Sequence, residues 1–257
     1  VLISERRAET LPKPEPPLAG FRSYLRYLDM STIKSNAAPA PFLSVVIPCY
    51  NEQEVITELL KRVTSVCRAL ESTYEIILVN DGSSDATWPM IEAAARDDRH
   101  VVGVDLSRNH GHQLALTAGL TVSRGDRILI LDADLQDPPE LLPDMLRVME
   151  EQRADVVYAQ RLQREGETAF KKTTASLFYR LIERLTDVPI PRDTGDFRLM
   201  TRRALDVLLA MPERHRFIRG MVSWIGFRQI AFPYERQARF AGTTKYPLKR
   251  MIKFALD

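Results

Sequence analysis

Leu43-Ser44-Val45-Val46-Ile47-Pro48-Cys49-Tyr50-Asn51-Glu52 marks the point where the sequence changes character. Residues 1–41 before it hold six of the 16 prolines and no sustained periodicity beyond an aromatic stretch at 21–27. They read as a flexible extension. From Leu43 onward, short apolar, β-branched runs appear at 43–47, 75–79, 101–106, 127–131 and 155–159. Each has the length and composition of a buried strand. Helical spacing fills the gaps. Val55, Leu59, Val63, Val66 and Leu70 share one helical face, with Asn51 and Glu54 spaced like a capping box. Further helices are predicted at about 84–96, 112–123 and 139–152, with two more helix-like stretches within 202–226. Buried strands alternating with helices imply an α/β fold, a Rossmann-like, mostly parallel sheet with helices on both faces. One domain over 42–235 holds it, and ligands are expected beyond the carboxyl ends of the strands.

Composition narrows the function. The formal charge of +2 over 257 residues argues against a general nucleic-acid binder. Local excess exists, with six basic residues against three acidic ones at 161–184, and six against two at 235–257. Such runs suit a solvated face, an anion site or a membrane surface alike. Cys49 and Cys67 read as buried, reduced thiols, which favours a cytoplasmic setting. No apolar run has the length of a membrane span.

Three strand ends are polar in a coherent way. After the first strand, Pro48-Cys49-Tyr50-Asn51-Glu52 offers an aromatic for a base and a following helix N-terminus; a plain strand–turn–helix junction fits as well. After the second, Asn80-Asp81-Gly82-Ser83-Ser84-Asp85 places Asp81 where it can accept from a ribose or a base, or close an Asx turn. Gly82 permits a tight turn there, and Ser84 is placed to cap the next helix. After the fourth, Asp132-Ala133-Asp134-Leu135-Gln136-Asp137-Pro138-Pro139-Glu140 follows an apolar run. In an extended chain Asp132 and Asp134 point the same way, and paired carboxylates repel unless a cation stands near. Hard oxygen donors suit Mg²⁺ or Mn²⁺ with phosphate oxygens; the bland reading is a polar strand exit. His110 and His112 read as structural or solvated loop histidines, and Trp88 and Trp224 as packing residues.

Together these three motifs, in this order, closely resemble the nucleotide-sugar-binding half of family 2 glycosyltransferases with the GT-A fold. The stretch Asp132–Glu140, with Thr194-Gly195-Asp196-Phe197-Arg198-Leu199 and Arg239-Phe240-Ala241-Gly242-Thr243-Thr244-Lys245-Tyr246, resembles the polyprenyl-phosphate branch. That branch includes dolichol-phosphate mannose synthases and undecaprenyl-phosphate glucosyltransferases. The resemblance implies that Pro48, Tyr50 and Glu52 line the nucleotide, with Asp81 on the base or ribose. It implies Asp132 at the ribose or diphosphate, and Asp134, Gln136 and Asp132 as ligands of a divalent cation, Mg or Mn. Arg161 would face the acceptor phosphate, Arg198 and Lys245 would add positive charge at the phosphates, and Asp196 would orient the acceptor or its arginines, or act as a base. Asn80 departs from the pattern, since many relatives carry a second acidic residue there.

The implied reaction is inverting transfer from a nucleotide-sugar, a UDP-sugar ahead of GDP-mannose, to a polyprenyl phosphate at the cytoplasmic face of the cell membrane. Two alternatives stand beside it: a family 2 transferase acting on a sugar hydroxyl of a saccharide or glycolipid, and a non-catalytic nucleotide-sugar-binding protein. A homo-oligomer is compatible with either. Residues 236–257 are expected to form a basic amphipathic segment on the membrane surface. Leu248, Met251, Ile252 and Ala255 share one helical face there, and the cations lie largely on the other. The natural protein is expected to continue into transmembrane helices. In liposome co-sedimentation the chain should bind anionic vesicles more strongly than a version ending at Thr244. Equal indifference of both would remove the interfacial reading.

Overall fold

A computed structural model describes residues 39–162 and 194–236. A seven-stranded sheet forms the centre, built of β1 (Leu43–Cys49), β2 (Tyr74–Asn80), β3 (Val101–Asp105), β4 (Arg127–Ile130), β5 (Val156–Arg161), β6 (Thr194–Thr201) and β7 (Gln229–Tyr234). Its spatial order is β3-β2-β1-β4-β6-β5-β7. β6 runs antiparallel to β4 and β5, and the other pairings are parallel. The intervening helices are α1 (Ile56–Ala69), α2 (Thr87–Asp97), α3 (His112–Val122), α4 (Leu142–Glu151, after a 3₁₀ turn at Pro139–Leu141), α5 (Arg202–Ala210) and α6 (Ile218–Trp224).

Strand alternation divides the core into two layers. Leu43, Val45, Ile47, Cys49, Ile76, Leu78, Leu129, Val157, Phe197 and Leu199 face one side, packed with Ile56, Leu59 and Val63 of α1 and Met145 and Met149 of α4. Val46, Ile77, Val79, Ile128, Ile130, Val156 and Met200 face the other, under α3, α5 and α6. Burial on both faces is why these strands read as continuous apolar runs. Ala115 through Leu120 of α3 are all buried, so that helix is the most enclosed of the covering layer. Gly119 permits this: a Cβ there would stand 2.5 Å from Val46 Cγ1 and 2.8 Å from Val79 Cγ2.

The five predicted strands are present, and two others were not anticipated. Thr194–Thr201 is a central strand, buried through Met200, whose Asp196 and Arg198 mask the apolar pattern, while Gln229–Tyr234 is a half-buried edge strand with a proline. The capping box is absent. The α1 N-cap is Val55, without a side-chain cap, and Asn51 instead takes φ 53°. Pro48 costs β1 no ladder bond. Leu131 N donates to Val46 O, so the same side of β1 two residues later faces the gap where β4 has ended. Both cysteines are free and buried, and burial pushes the Cys67 thiol up to about 12. No helix among the described residues is long and apolar enough to cross a membrane.

Gly119→Ala gains at most about 1 kcal/mol of helix propensity but overpacks a rigid contact, a cost of about 1–3 kcal/mol. Net destabilisation is expected, read as a lower urea midpoint with an unchanged m-value.

Candidate active site

The carboxyl ends of β1, β2, β4, β5 and β7 open on one edge, where antiparallel β6 begins. Backbone-to-side-chain hydrogen bonds fasten the loops after β1 and β2 together. Asn51 N donates to Ser83 Oγ at 2.9 Å, Ser84 N to Asn51 Oδ1 at 2.8 Å, Glu52 N to Thr87 Oγ1 at 2.7 Å and Gln53 N to Asp85 Oδ2 at 3.3 Å. Ser84 therefore does not cap α2. Its first amide, Thr87 N, is met by Asp85 Oδ1 at 3.0 Å. Pro48, Tyr50 and Glu52 stand along this clasp, with Tyr50 and Glu52 half-exposed.

Asp81 is buried and already engaged. Its oxygens accept from His110 N (2.7 Å) and Gly111 N (3.0 Å), pinning the loop that enters α3. Burial outweighs these bonds and raises its pKa. Gly82, at φ 64°, is needed for more than the turn: a Cβ would sit 2.4 Å from the backbone at Arg108 and Asn109. Asn80 donates to Asp105 Oδ1 (2.7 Å) and accepts from Ser83 N (3.1 Å). A carboxylate at that position would face Asp105 with no proton to give, which accounts for the amide in this chain.

Beyond β4, residues 131–137 leave the sheet, and Leu135 adopts φ 56°. Alternation nevertheless persists. Leu131, Ala133 and Leu135 enter the core, while Asp132, Asp134 and Gln136 remain half-exposed on the cleft side. Asp132 Oδ1 is buried without a hydrogen-bond partner, 3.6 Å from His112 Nε2. Desolvation, with Asp196, Asp137 and Asp134 acting against the His112 charge, pushes its pKa up to about 6. Among the described residues no three His, Cys, Asp or Glu are grouped to hold a metal. Two carboxylates and an amide oxygen nevertheless fit Mg²⁺ or Mn²⁺ when substrate phosphates complete the shell. The orphaned Asp132 oxygen has the unmet need such an ion fills.

Asp196 lies at the centre of a buried network. Its carboxylate accepts from His112 Nε2 (3.0 Å), Gln113 Nε2 (3.1 Å) and Arg219 Nε (3.1 Å), with Arg198 Nη2 at 3.7 Å. Burial alone would raise its pKa, but the His112 bond and the two arginines hold it well below the usual carboxylate range. Burial lowers His112 in turn, yet Asp196 and Asp132 outweigh it and push the imidazole up to about 9. Arg198, 3 % exposed, is lowered to about 10 by burial and donates to the Gly195 and Asp196 carbonyls, so it acts behind the surface of the cleft. Arg161 reaches the same edge from β5.

Several participants were missed from sequence. His112 is no solvated loop residue but bridges Asp132 and Asp196; its place at the start of the helix after β3 was the available signal. Gln113, Arg219, Asp137 and Tyr234 carried no local spacing signal, since Arg219 is 23 residues from its partner Asp196 and Tyr234 is 97 from Asp137. Trp88 packs on the core as expected, whereas Trp224 is 64 % exposed. Lys245, the segment 237–257 and the basic run beyond Leu162 up to Arg184 lie outside the described residues. A pocket of about 670 Å³ sits at the opposite edge, beside the closed Arg203–Asp155 ion pair and away from these carboxylates.

The family model described as glycosyl transferase family 2 matches residues 44–209. The chain belongs to glycosyl transferase family 2. It is 48 % identical over 214 residues to the Bacillus subtilis (strain 168) protein named uncharacterized glycosyltransferase YkcC, covering 83 % of this chain and 66 % of that one. It is 36 % identical over 215 residues to the bactoprenol glucosyl transferase of Shigella phage SfV, covering 84 % and 70 %. The chain thus spans about two thirds of the length of the curated relatives it matches. A solved glucosyl-3-phosphoglycerate synthase from Mycobacterium tuberculosis, in complex with Mn²⁺, UDP-glucose and phosphoglyceric acid, superposes with a TM-score of 0.56. It is 16 % identical and covers 87 % of this chain and 77 % of that one, a likeness of fold. The expected GT-A fold and glycosyltransferase domain are therefore both present.

Asp196→Ala should cost about 3–5 kcal/mol, because it strands buried cations. Asp134→Ala, on the half-exposed turn, should stay within about 1 kcal/mol of wild type. Urea unfolding of the two variants checks the contrast.

Proposed function

We propose that the chain transfers a sugar with inversion from a nucleotide-sugar to a polyprenyl phosphate, using Mg²⁺ or Mn²⁺, at the cytoplasmic face of the membrane. Residues 42–235 serve as the catalytic domain and 236–257 as its membrane-surface segment. The bactoprenol glucosyl transferase relative supports the lipid acceptor. The fold neighbour bound to UDP-glucose and Mn²⁺ supports a UDP-sugar and a cation.

One observation carries the choice of acceptor. Asp196, the candidate base, is saturated by His112, Gln113 and Arg219 and held far into its ionised form. A carboxylate so stabilised is a weak proton acceptor, which disfavours a sugar hydroxyl as nucleophile. A phosphate monoester needs no strong base, because its second pKa is about 6 and its oxygen is already anionic at neutral pH. Asp196 then serves to position Arg219 and His112.

Asp134 and Gln136, with Asp132, would hold the cation, which when bound neutralises charge on the departing nucleoside diphosphate. Pro48, Tyr50, Glu52 and Asp81 line the nucleotide, and Lys245 adds charge from outside the described residues. Arg161 orients the acceptor phosphate, and Arg198 contributes field from behind Asp196. Positioning and charge stabilisation supply the acceleration.

Incubation of labelled nucleotide-sugars with undecaprenyl phosphate and Mn²⁺ should yield a labelled lipid. Excess EDTA should abolish the product, and Asp134→Ala should lower kcat by at least about a hundredfold. Full activity in EDTA, or equal transfer to a free polyprenol, would contradict the proposal.

A further inference from the structure

Asp137 is 0 % exposed and directly follows Gln136, at the end of the loop carrying Asp132 and Asp134. A buried carboxylate is costly unless donors surround it, and the donors of Asp137 come from the far side of the sheet. The Tyr234 hydroxyl donates to its Oδ1, and Arg236 Nε stands 3.5 Å from the same oxygen. Arg161 lies opposite Tyr234 in the β5–β7 register, where burial lowers its pKa but Tyr234 and Asp137 stand near enough to raise it. A hydroxyl both donates and accepts, so Tyr234, which donates to the carboxylate, stands placed between it and the arginine. Its ring is held edge-on against Phe197, centroids 5.9 Å apart.

Space around the arginine is equally specified. A Cβ at Gly195 would come within 3.0 Å of Arg161 Nη2, while the nearest approach to Asp137, at Oδ2, would be 3.8 Å. Arg161 Nε is buried and lacks a hydrogen-bond partner, as does Asp137 Oδ2. The guanidinium is therefore incompletely paired within the protein, beside a carboxylate oxygen that is also unpaired.

We propose that Tyr234 and Asp137 are positioning residues that hold Arg161 toward the acceptor phosphate and couple it to the carboxylate loop. For the nature of the acceptor this rests on the polyprenyl-phosphate reading; the relay itself rests on geometry. Arg161 alone touches the acceptor. Tyr234 and Asp137 act through it, so their loss shows as a misplaced arginine rather than as a weakened donor site.

Steady-state kinetics on the full chain, with undecaprenyl phosphate and Mn²⁺, read the relay. Tyr234→Phe should raise the acceptor KM about ten- to hundredfold, with the nucleotide-sugar KM changed less than about threefold. Arg161→Ala should show the same split, and the double variant should be no worse than Arg161→Ala alone, because residues acting through one another are not additive. Additive losses, or equal rises in both KM values, overturn the relay. Gly195→Ala crowds Arg161 while sparing the Tyr234–Asp137 bond, and it decides the matter if Tyr234→Phe does not fold. It should reproduce the split, and unchanged kinetics would count against the relay. A crystal structure of Tyr234→Phe separates this claim from the acceptor reading. An Arg161 displaced from its wild-type position supports the relay whatever the acceptor, and an unmoved Arg161 overturns it. Failure of the wild-type chain to glycosylate undecaprenyl phosphate overturns the acceptor reading alone.

Discussion

Repulsion among four carboxylates at one edge of the sheet is the constraint that organises the rest of the molecule. Asp134, Asp137 and Asp196 all act on Asp132, adding to the desolvation that raises its pKa. Three of the four are compensated differently. Asp196 is enclosed by His112, Gln113, Arg198 and Arg219, and Asp137 by Tyr234, Arg161 and Arg236. Asp132 keeps an oxygen without a donor. The compensation is thus complete at Asp196, partial at Asp137, whose Oδ2 also lacks a partner, and open at Asp132 facing the cleft, which is the electrostatic condition for taking up a cation with its phosphates.

That arrangement depends on strand β6, inserted antiparallel between β4 and β5. Its direction brings Thr194 to Asp196 to the same edge as the carboxyl ends of its neighbours. Strand pleating then sends Asp196 and Arg198 toward α3 and α6, and Gly195 toward Arg161 and Asp137. Two charged networks on opposite faces of one sheet share a single strand. Burying so many charges is expensive, and the apolar layers on both faces of the sheet offset that cost.

On the nucleotide side, different physics operates. The loops after β1 and β2 are joined by neutral hydrogen bonds from backbone amides to Ser83, Asn51 and Thr87, and Asp81 pins the entry to α3. These bonds fix the wall of the cleft while leaving Tyr50 and Glu52 half-exposed. A rigid wall on one side and tethered arginines on the other suit a reaction that relies on positioning.

The sequence by itself determined the parallel core, because strands buried on both faces must read as predominantly apolar runs, and 43–47, 75–79 and 127–131 do, with only Ser44, Glu75 and Arg127 polar. It also determined the carboxylates at the strand exits, since Asp132, Asp134 and Gln136 alternate with buried Leu131, Ala133 and Leu135 within one short segment. It mistook Asn51 for part of a capping box, because local spacing is blind to a partner 32 residues away such as Ser83. Only the tertiary structure decided that β6 is a central strand: Asp196 and Arg198 interrupt its apolar pattern, and their burial is tolerable only with Arg219 and His112 in place. It alone brought Tyr234 to Asp137 across 97 residues. Periodicity reports what each residue does against its own strand or helix, whereas charge compensation is settled between elements that meet only once the chain has folded.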